Sequence, residues 1–392
     1  MIKAYTAYTA EVDDVETAVA EIMEQLGDMS RLRENTVGLL ACYSDFVDSG
    51  VVKKLCAALP FGVIGTTTLG SVIRDSEGRM TLSLIVLTSD DAEFATAVTE
   101  PMTAADEAPL AAAYGEASRE LSVRPALMVT FAPLHVNASG DFYVDAFSRI
   151  SGGVPNFGML TVDNTSDYSS AAVICEGEAY ADRCAFLLIG GSVKPEFFTA
   201  SVPSERVSAE KAVITGSAGN MVSTVNGSPV ADYLVKLGLK KNTDGSIIGI
   251  NSFPFVVDYN DGTLPVVRVM FALTPEGEAV CGGDIPEGAT ISVGHIDADE
   301  VLSTTRAALS DVAARGGGAC FLMFSCVGRY FALGHKPAAE MDLVREFMGG
   351  NEIPFMFVYS GGEMCPVGQK GGGNGSTLTN RNHNDTFILC RL

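Results

Sequence analysis

Residues 319–363 read ACFLMFSCVGRYFALGHKPAAEMDLVREFMGGNEIPFMFVYSGGE, and the order of features in this stretch decides the fold class. An apolar run, Cys320–Phe324, has the length of a core strand. A helical segment follows at Ala338–Met348, with Met341, Val344 and Phe347 recurring at spacings of three on one face. Pro354 stops it, because proline cannot continue a helix, and Phe355–Tyr359 forms a second strand that enters SGGE. The same order stands at 35–70. There Val37–Ala41 precedes a helix carrying Val52, Leu55, Cys56 and Leu59, and Pro60 precedes FGVIG, which enters TTTLG. It stands again at 125–164, with Ala126–Phe131, Asp141–Ile150, Pro155 and Asn156–Leu160 entering TVDN. The three copies share grammar more than residues. Each predicts a βαβ-like unit, so the expected fold is α/β with mixed sheets and helices packed on them. Loops at strand ends (YSDF, APLH and SCVGR after the first strands, TTTLG, TVDN and SGGE after the second) are where such sheets usually bind ligands.

Outside the copies the pattern is antiparallel. Met80–Thr88, Ala171–Glu176 and Ala179–Ile189 run apolar or alternate, with a turn at Gly177. Arg206–Ile214 and Ala218–Val225 flank Thr215-Gly216-Ser217, which predicts a hairpin turn there. Val266–Leu273, Ala279–Ile285 and Ala289–His295 form a further meander, with turns at Pro275–Gly277 and Pro286–Gly288. A long helix is expected at about 298–314, with Val301, Leu302, Thr305, Leu309 and Val312 inward. The stretch KPEFFTASVPSE at 194–205 has two prolines and no clear period. It places the division between two domains, 1–200 and 201–392.

Composition bounds the function. Hydrophobic residues make up 47% and charged residues 19% of 392, a globular composition with a substantial core. The net charge of −22 and the lack of any basic run longer than Lys53-Lys54 or Lys240-Lys241 exclude a phosphate-backbone partner. The sequence has no signal peptide and no stretch of eighteen apolar residues, so a cytoplasmic protein without membrane insertion is expected. Nine cysteines without a Cys-x-x-Cys pair predict reduced, buried thiols. The sequons at Asn137, Asn164, Asn226, Asn374 and Asn384 read as chance in that setting.

No dinucleotide, Walker or zinc-protease signature is present. TGSAG (215–219) lacks the glycine spacing of a nucleophile elbow and has no helix after it. QKGGGNGS (369–376) has the composition of a phosphate loop without its Lys-Ser/Thr pair, so it reads as a surface loop. His135, His295, His335 and His383 are too dispersed for a zinc site, and His383 beside Asp385 reads as a solvated turn. No metal or cofactor is expected. Cys326, with Arg329 three residues on and His335 nine on, has three readings: a nucleophile activated by a neighbouring cation, a thiol lining a pocket, or a packed core residue.

The segment from Gly318 to Val367 resembles the C-terminal module of the FIST family, on Ser325, Cys326, Gly328, Arg329, Pro354, Gly362 and Glu363 in that order and spacing. NSFPFVVDYNDGTLPVVRVM (251–270) resembles an earlier segment of the same module, with a Phe-Pro pair and Arg268 in a strand. VGLLACYSDF and LPFGVIGTTTLGSV resemble the N-terminal module, with Gly65-Thr66-Thr67-Thr68 where the family shows a cysteine. The resemblance implies a signal-input protein that binds small ligands, amino acids among them, and acts through a separate signalling partner. No output module is visible in the chain.

On the residues themselves, Arg329 is the expected ligand anchor, since a guanidinium fork suits a carboxylate. Glu363 is expected to meet an amine or to pair with Arg329. Ser325, Cys326, Tyr359, Arg268, Thr66 and Thr67 complete the expected ligand-binding set, with the two threonines reading equally well as capping residues. An enzyme with a nonstandard Cys326 or Glu363 site, and an adaptor whose acidic surface binds a basic partner, are the alternatives.

Overall fold

A computed structural model describes residues 1–76, 79–243, 245–350, 352–372 and 377–392. All three strand–helix–strand segments form, and in each the two strands are parallel neighbours. Asn35–Cys42 pairs with Gly62–Thr67, Pro125–Ala132 with Asn156–Leu160, and Phe321–Cys326 with Phe355–Ser360. The fold is the expected mixed α/β.

Each parallel pair is the centre of one sheet. An antiparallel strand lies beside the first member: Leu82–Ser89, Ala185–Gly190 or Phe387–Arg391. An outer strand lies beyond it: Lys3–Thr9, Glu93–Val98 or Glu196–Ala200. The chain is therefore three structurally similar units, the first two in 1–89 and 93–190 and the third opening at Glu196. The place expected to divide two domains at residue 200 is the end of that third-unit strand. Within KPEFFTASVPSE, whose sequence shows no clear period, Glu196–Ala200 is a strand that pairs along its length with Phe387–Arg391.

The units are laced together by exchange. After the second parallel strand, each unit passes a strand to a neighbour. Ser71–Ile73 joins the third unit's sheet beside Phe355–Ser360. Val173–Cys175 joins the first unit's sheet beside Gly62–Thr67, and Glu363–Val367 joins the second unit's sheet beside Asn156–Leu160. First gives to third, third to second, and second to first, so the cycle closes. The inward faces of all three sheets share one core that contains Leu39 and Ile85, Phe131 and Leu187, and Phe324 and Ile388. Helices Val15–Leu26 and Val51–Ala58, Glu107–Glu120 and Gly140–Ser151, and Ala298–Arg315 and Ala339–Gly349 cover the outward faces. Strands buried on both faces must be apolar at every position, which is why Leu84–Leu87, Ala185–Ile189 and Ala319–Phe324 run without alternation.

Helix ends follow local chemistry. The Asp14 carboxylate accepts from the Thr17 N–H, and Gly27, with φ 65°, closes that helix. Asp297 and Glu300 form a capping box at the start of Ala298–Arg315.

Between Glu196–Ala200 and Ala298–Arg315 the third unit carries an inserted antiparallel sheet. Its strand order is Val266–Arg268, Phe255–Asp258, Thr290–Val293, Ala212–Ala218, Met221–Val225, Ala279–Cys281 and Met270–Leu273. It has a core of its own around Ile214, Val225, Leu234, Phe255 and Ile291. The hairpin turn expected at Thr215–Ser217 lies instead at Gly219-Asn220, and Thr215 to Ser217 belong to the strand. Gly219 takes the left-handed φ of 57° that the tight turn requires. Residues 373–376 of the glycine-rich QKGGGNGS stretch, with the Asn374 sequon, lie outside the described residues. No helix among the described residues is long and apolar enough to cross a membrane.

Candidate functional site

The expected site at the strand ends is assembled but closed. Ser325 pairs with Tyr359 and Cys326 with Ser360 across the parallel strands, so the two loops do emerge side by side. Every expected side chain there is buried. Arg329 does not pair with Glu363. Its Nε and Nη2 donate to Glu340 Oε1 at 3.1 and 2.8 Å, and Nη2 also donates to the Val301 carbonyl at 2.9 Å and Thr305 Oγ1 at 2.7 Å. Glu340 in turn accepts from Ser325 Oγ at 2.9 Å and Thr305 Oγ1 at 2.6 Å. The pair ties the helices Ala298–Arg315 and Ala339–Gly349 to the strand-end loop, and leaves no fork turned to solvent.

Glu363 accepts from Ser360 Oγ and lies near Cys326 and Asp385. Burial pushes its carboxyl well above the usual range, and the Asp385 charge adds to the effect. Asp385 is raised to about 7 by burial. Burial, then the charges of Glu363 and Asp385, holds the Cys326 thiol well above its ordinary value, so it is a protonated thiol and a poor nucleophile. Tyr359 packs edge-on against Tyr330 at 5.2 Å and Phe357 at 5.0 Å. Thr66 and Thr67 serve the strand exchange. Thr66 Oγ1 donates to the Thr67 carbonyl at 2.7 Å, and Thr67 Oγ1 donates to the Val162 carbonyl at 2.8 Å. His383, expected in a solvated turn, is buried in a strand, and burial lowers it to about 4. All nine cysteines are buried and unpaired.

Arg268 leads to a second place, which the sequence did not single out. The inserted sheet meets the helix Gly140–Ser151 of the second unit along a cleft of about 360 Å3 lined by Asp141, Asp145, Tyr259, Asp284, Glu287 and Arg381. An adjoining groove shares Asp145 and Asp284 and continues past Asn137, Phe142 and Asn220. Arg268 lies behind the lining residues Asp141 and Tyr259. Fully buried, it donates to Asp141 Oδ1 at 2.7 Å, to Tyr259 Oη at 2.7 Å and to the Asn382 carbonyl at 2.7 Å. Asp141 Oδ2 accepts from the Asp284 N–H at 2.9 Å and from Asn382 Nδ2 at 3.1 Å, and Tyr259 Oη reaches the Asp284 carbonyl at 3.0 Å. Gly283 permits this approach, because a Cβ there would stand 2.4 Å from Asp141 Oδ2. Arg381 stacks over the Tyr259 ring at 4.7 Å and pairs with Asp261 through Nη2. Its Nε is buried and donates to no acceptor among the described residues.

The charges lining this cleft divide into two kinds. Asp141 is neutralised by Arg268, whereas Asp145, Asp284 and Glu287 form no ion pair with any described residue. Loss of water, then the neighbouring Asp141 charge, raises the carboxyls of both Asp145 and Asp284. Asp141 and Arg268 are 127 positions apart, and no local pattern links them. The usable sign was weaker: two acidic residues, Asp284 just before the expected turn Pro286–Gly288 and Glu287 within it.

Three exchanging α/β units thus carry an inserted sheet that borders an open polar cleft. The FIST N domain matches residues 36–228 and the FIST C domain residues 230–366, so the chain belongs to the FIST family. No curated protein sequence matches it. Among solved structures, a crystal structure of cyanuric acid hydrolase from A. caulinodans is similar, with 10% identity over 100% of this chain and 99% of that chain. Its TM-score of 0.36 carries no argument about this chain.

Proposed function

We propose that this FIST-family chain is a small-ligand-binding input protein, and that its ligand is an amino acid or similar polar metabolite held in the cleft between the inserted sheet and the helix Gly140–Ser151. One observation carries the reading. The cleft joins an accessible cavity of about 360 Å3 to the carboxylates of Asp145 and Asp284, which form no ion pair with any described residue, and to the side chain of Arg381. Ligand cavities commonly measure roughly 300–1,000 Å3. The strand-end cluster offers the opposite: Arg329 is saturated by Glu340 and its neighbours, and Glu363 is enclosed.

The ligand's carboxylate meets Arg381, and its ammonium meets Asp284, at the seam where two parts of the chain touch. Occupancy then alters how the inserted sheet rests on the second unit, and a separate partner protein reads that change. Binding rather than catalysis is supported by the protonated, enclosed state of the Cys326 thiol.

The test is a thermal-shift titration of the whole chain against a panel of amino acids and metabolites, repeated on Asp284→Asn. A saturable shift in the parent protein that is lost in Asp284→Asn supports the reading. Turnover of a panel compound, or a shift that Asp284→Asn leaves intact, contradicts it.

A further inference from the structure

The balance of charge in the cleft narrows the ligand further. Four carboxylates line it, those of Asp141, Asp145, Asp284 and Glu287, and one cation, Arg381. Arg268, beneath the surface, cancels Asp141. Arg381 is balanced by Asp261, which stands outside the lining, and its side chain still borders the cleft. Three carboxylates therefore line the cavity without an ion-pair partner among the described residues, beside the guanidinium of Arg381.

A neutral amino acid brings one ammonium to those three groups. An acidic one brings a further negative charge into their field, in a partly desolvated place where like charges repel strongly. A basic one brings two cations, which suit carboxylates at two depths: Asp284, half-buried beside Asp141, and Asp145 and Glu287, exposed at the mouth. Resting on the reading above, we infer that the cleft selects a basic α-amino acid. Its carboxylate lies on the Arg381 guanidinium that lines the cleft, its α-ammonium on Asp284, and its side-chain cation between Asp145 and Glu287. The groove that runs on from Asp145 past Asn137 gives the side chain its length.

A second consequence separates this arrangement from simple surface attraction. Burial and the Asp141 charge raise the Asp145 and Asp284 carboxyls, so protons compete with the ligand's cations as pH falls. The charged groups facing these carboxylates are Asp141, Arg149, Arg268 and Arg381, with Asp145 also facing Asp284; the arginines oppose the rise, and none of them pairs with Asp145 or Asp284. Affinity for a basic amino acid is expected to weaken as pH falls, and to begin weakening at a higher pH than ordinary carboxylates would give.

Isothermal titration of the whole chain with L-lysine, L-arginine, L-glutamine, L-glutamate and cadaverine tests the inference. L-lysine or L-arginine is expected to bind at least tenfold more tightly than L-glutamine, and L-glutamate more weakly still. Cadaverine, which lacks the carboxylate, is expected to lose at least tenfold against L-lysine. Asp145→Asn and Glu287→Gln, at the exposed rim where folding is not at stake, should each narrow the margin of lysine over glutamine. L-glutamine binding as tightly as the basic amino acids overturns the inference and leaves the cleft reading standing. Cadaverine binding as tightly as L-lysine overturns the role of Arg381. Failure of every amino acid to bind removes both the inference and the reading on which it rests.

Discussion

Removing the carboxylate of Glu340 tests whether Arg329 is a structural cation. In Glu340→Ala the guanidinium loses both of its contacts to Oε1, at 3.1 and 2.8 Å, while Ser325 Oγ and Thr305 Oγ1 lose their acceptor. Both charged residues are fully buried, so no water takes the place of the lost partner. Stripping one member of such a pair costs about 3–5 kcal/mol, because the other charge stays in a poor dielectric. The Val301 carbonyl and Thr305 hydroxyl still accept from Nη2 and keep the cost from rising further. Replacing both partners with apolar residues, in Arg329→Met/Glu340→Leu, should recover most of the loss, since a buried pair is often matched by well-packed hydrophobic residues. The chain has no Trp, so urea unfolding is best followed by far-ultraviolet circular dichroism. A loss under about 1 kcal/mol in Glu340→Ala, where a surface pair would fall, refutes the reasoning. So does a double variant less stable than the single one.

Further expectations come from other parts of the molecule. Arg329→Lys should lower the urea midpoint but leave the ligand affinity of the folded protein unchanged, as a titration on both proteins will show. The raised carboxyl of Asp385, at about 7 against an ordinary value near 3.8, means that the folded state holds a proton which the unfolded state has released. Its contribution to stability is therefore present below about pH 4 and lost as pH rises through 7. Subtracting the stability–pH curve of Asp385→Asn from that of the parent protein should reveal that fall, and a difference that is flat from pH 4 to 7 would contradict it. A Cβ on Gly65 would lie 2.0 Å from the Leu40 carbonyl oxygen, so Gly65→Ala should cost roughly 3 kcal/mol, the upper part of the overpacking range, in the same urea assay. Thiol titration should find nine groups in denatured protein and almost none reacting promptly in the native state, since all nine are buried and unpaired.

Local order was legible in the sequence, and exchange between units was not. The strand–helix–Pro–strand segments form because each carries its own periodicity and its own stop, and the helix at Ala298–Arg315 carries its own cap. Nothing local says that Ser71–Ile73 will leave the first unit for a strand near residue 356. A strand of three residues has no period to read, and its partner is almost three hundred positions away. The hairpin turn was misplaced because Thr215-Gly216-Ser217 has turn composition, while the left-handed backbone falls at Gly219. At the site, Arg329 and Arg268 stood out as ligand-binding arginines in strand-end and strand contexts, but their burial and their partners did not. Glu340 and Glu363 are both carboxylates within reach along the sequence, and only the packing of Ala339–Gly349 against Ala298–Arg315 turns Glu340 toward Arg329. The cleft itself is made by an inserted sheet meeting a helix more than a hundred residues earlier, and periodicity cannot report such a meeting.

Hydrogen exchange read by mass spectrometry, with and without a ligand found in the amino-acid panel, locates the binding site without presupposing which residues bind. The account predicts slower exchange in the segments around Ser217–Asn220, Tyr259 and Asp284–Glu287 of the inserted sheet, together with the start of Gly140–Ser151. Protection confined to Ser325–Arg329 and Tyr359–Glu363, with the cleft segments unchanged, would contradict it and return the ligand to the strand ends.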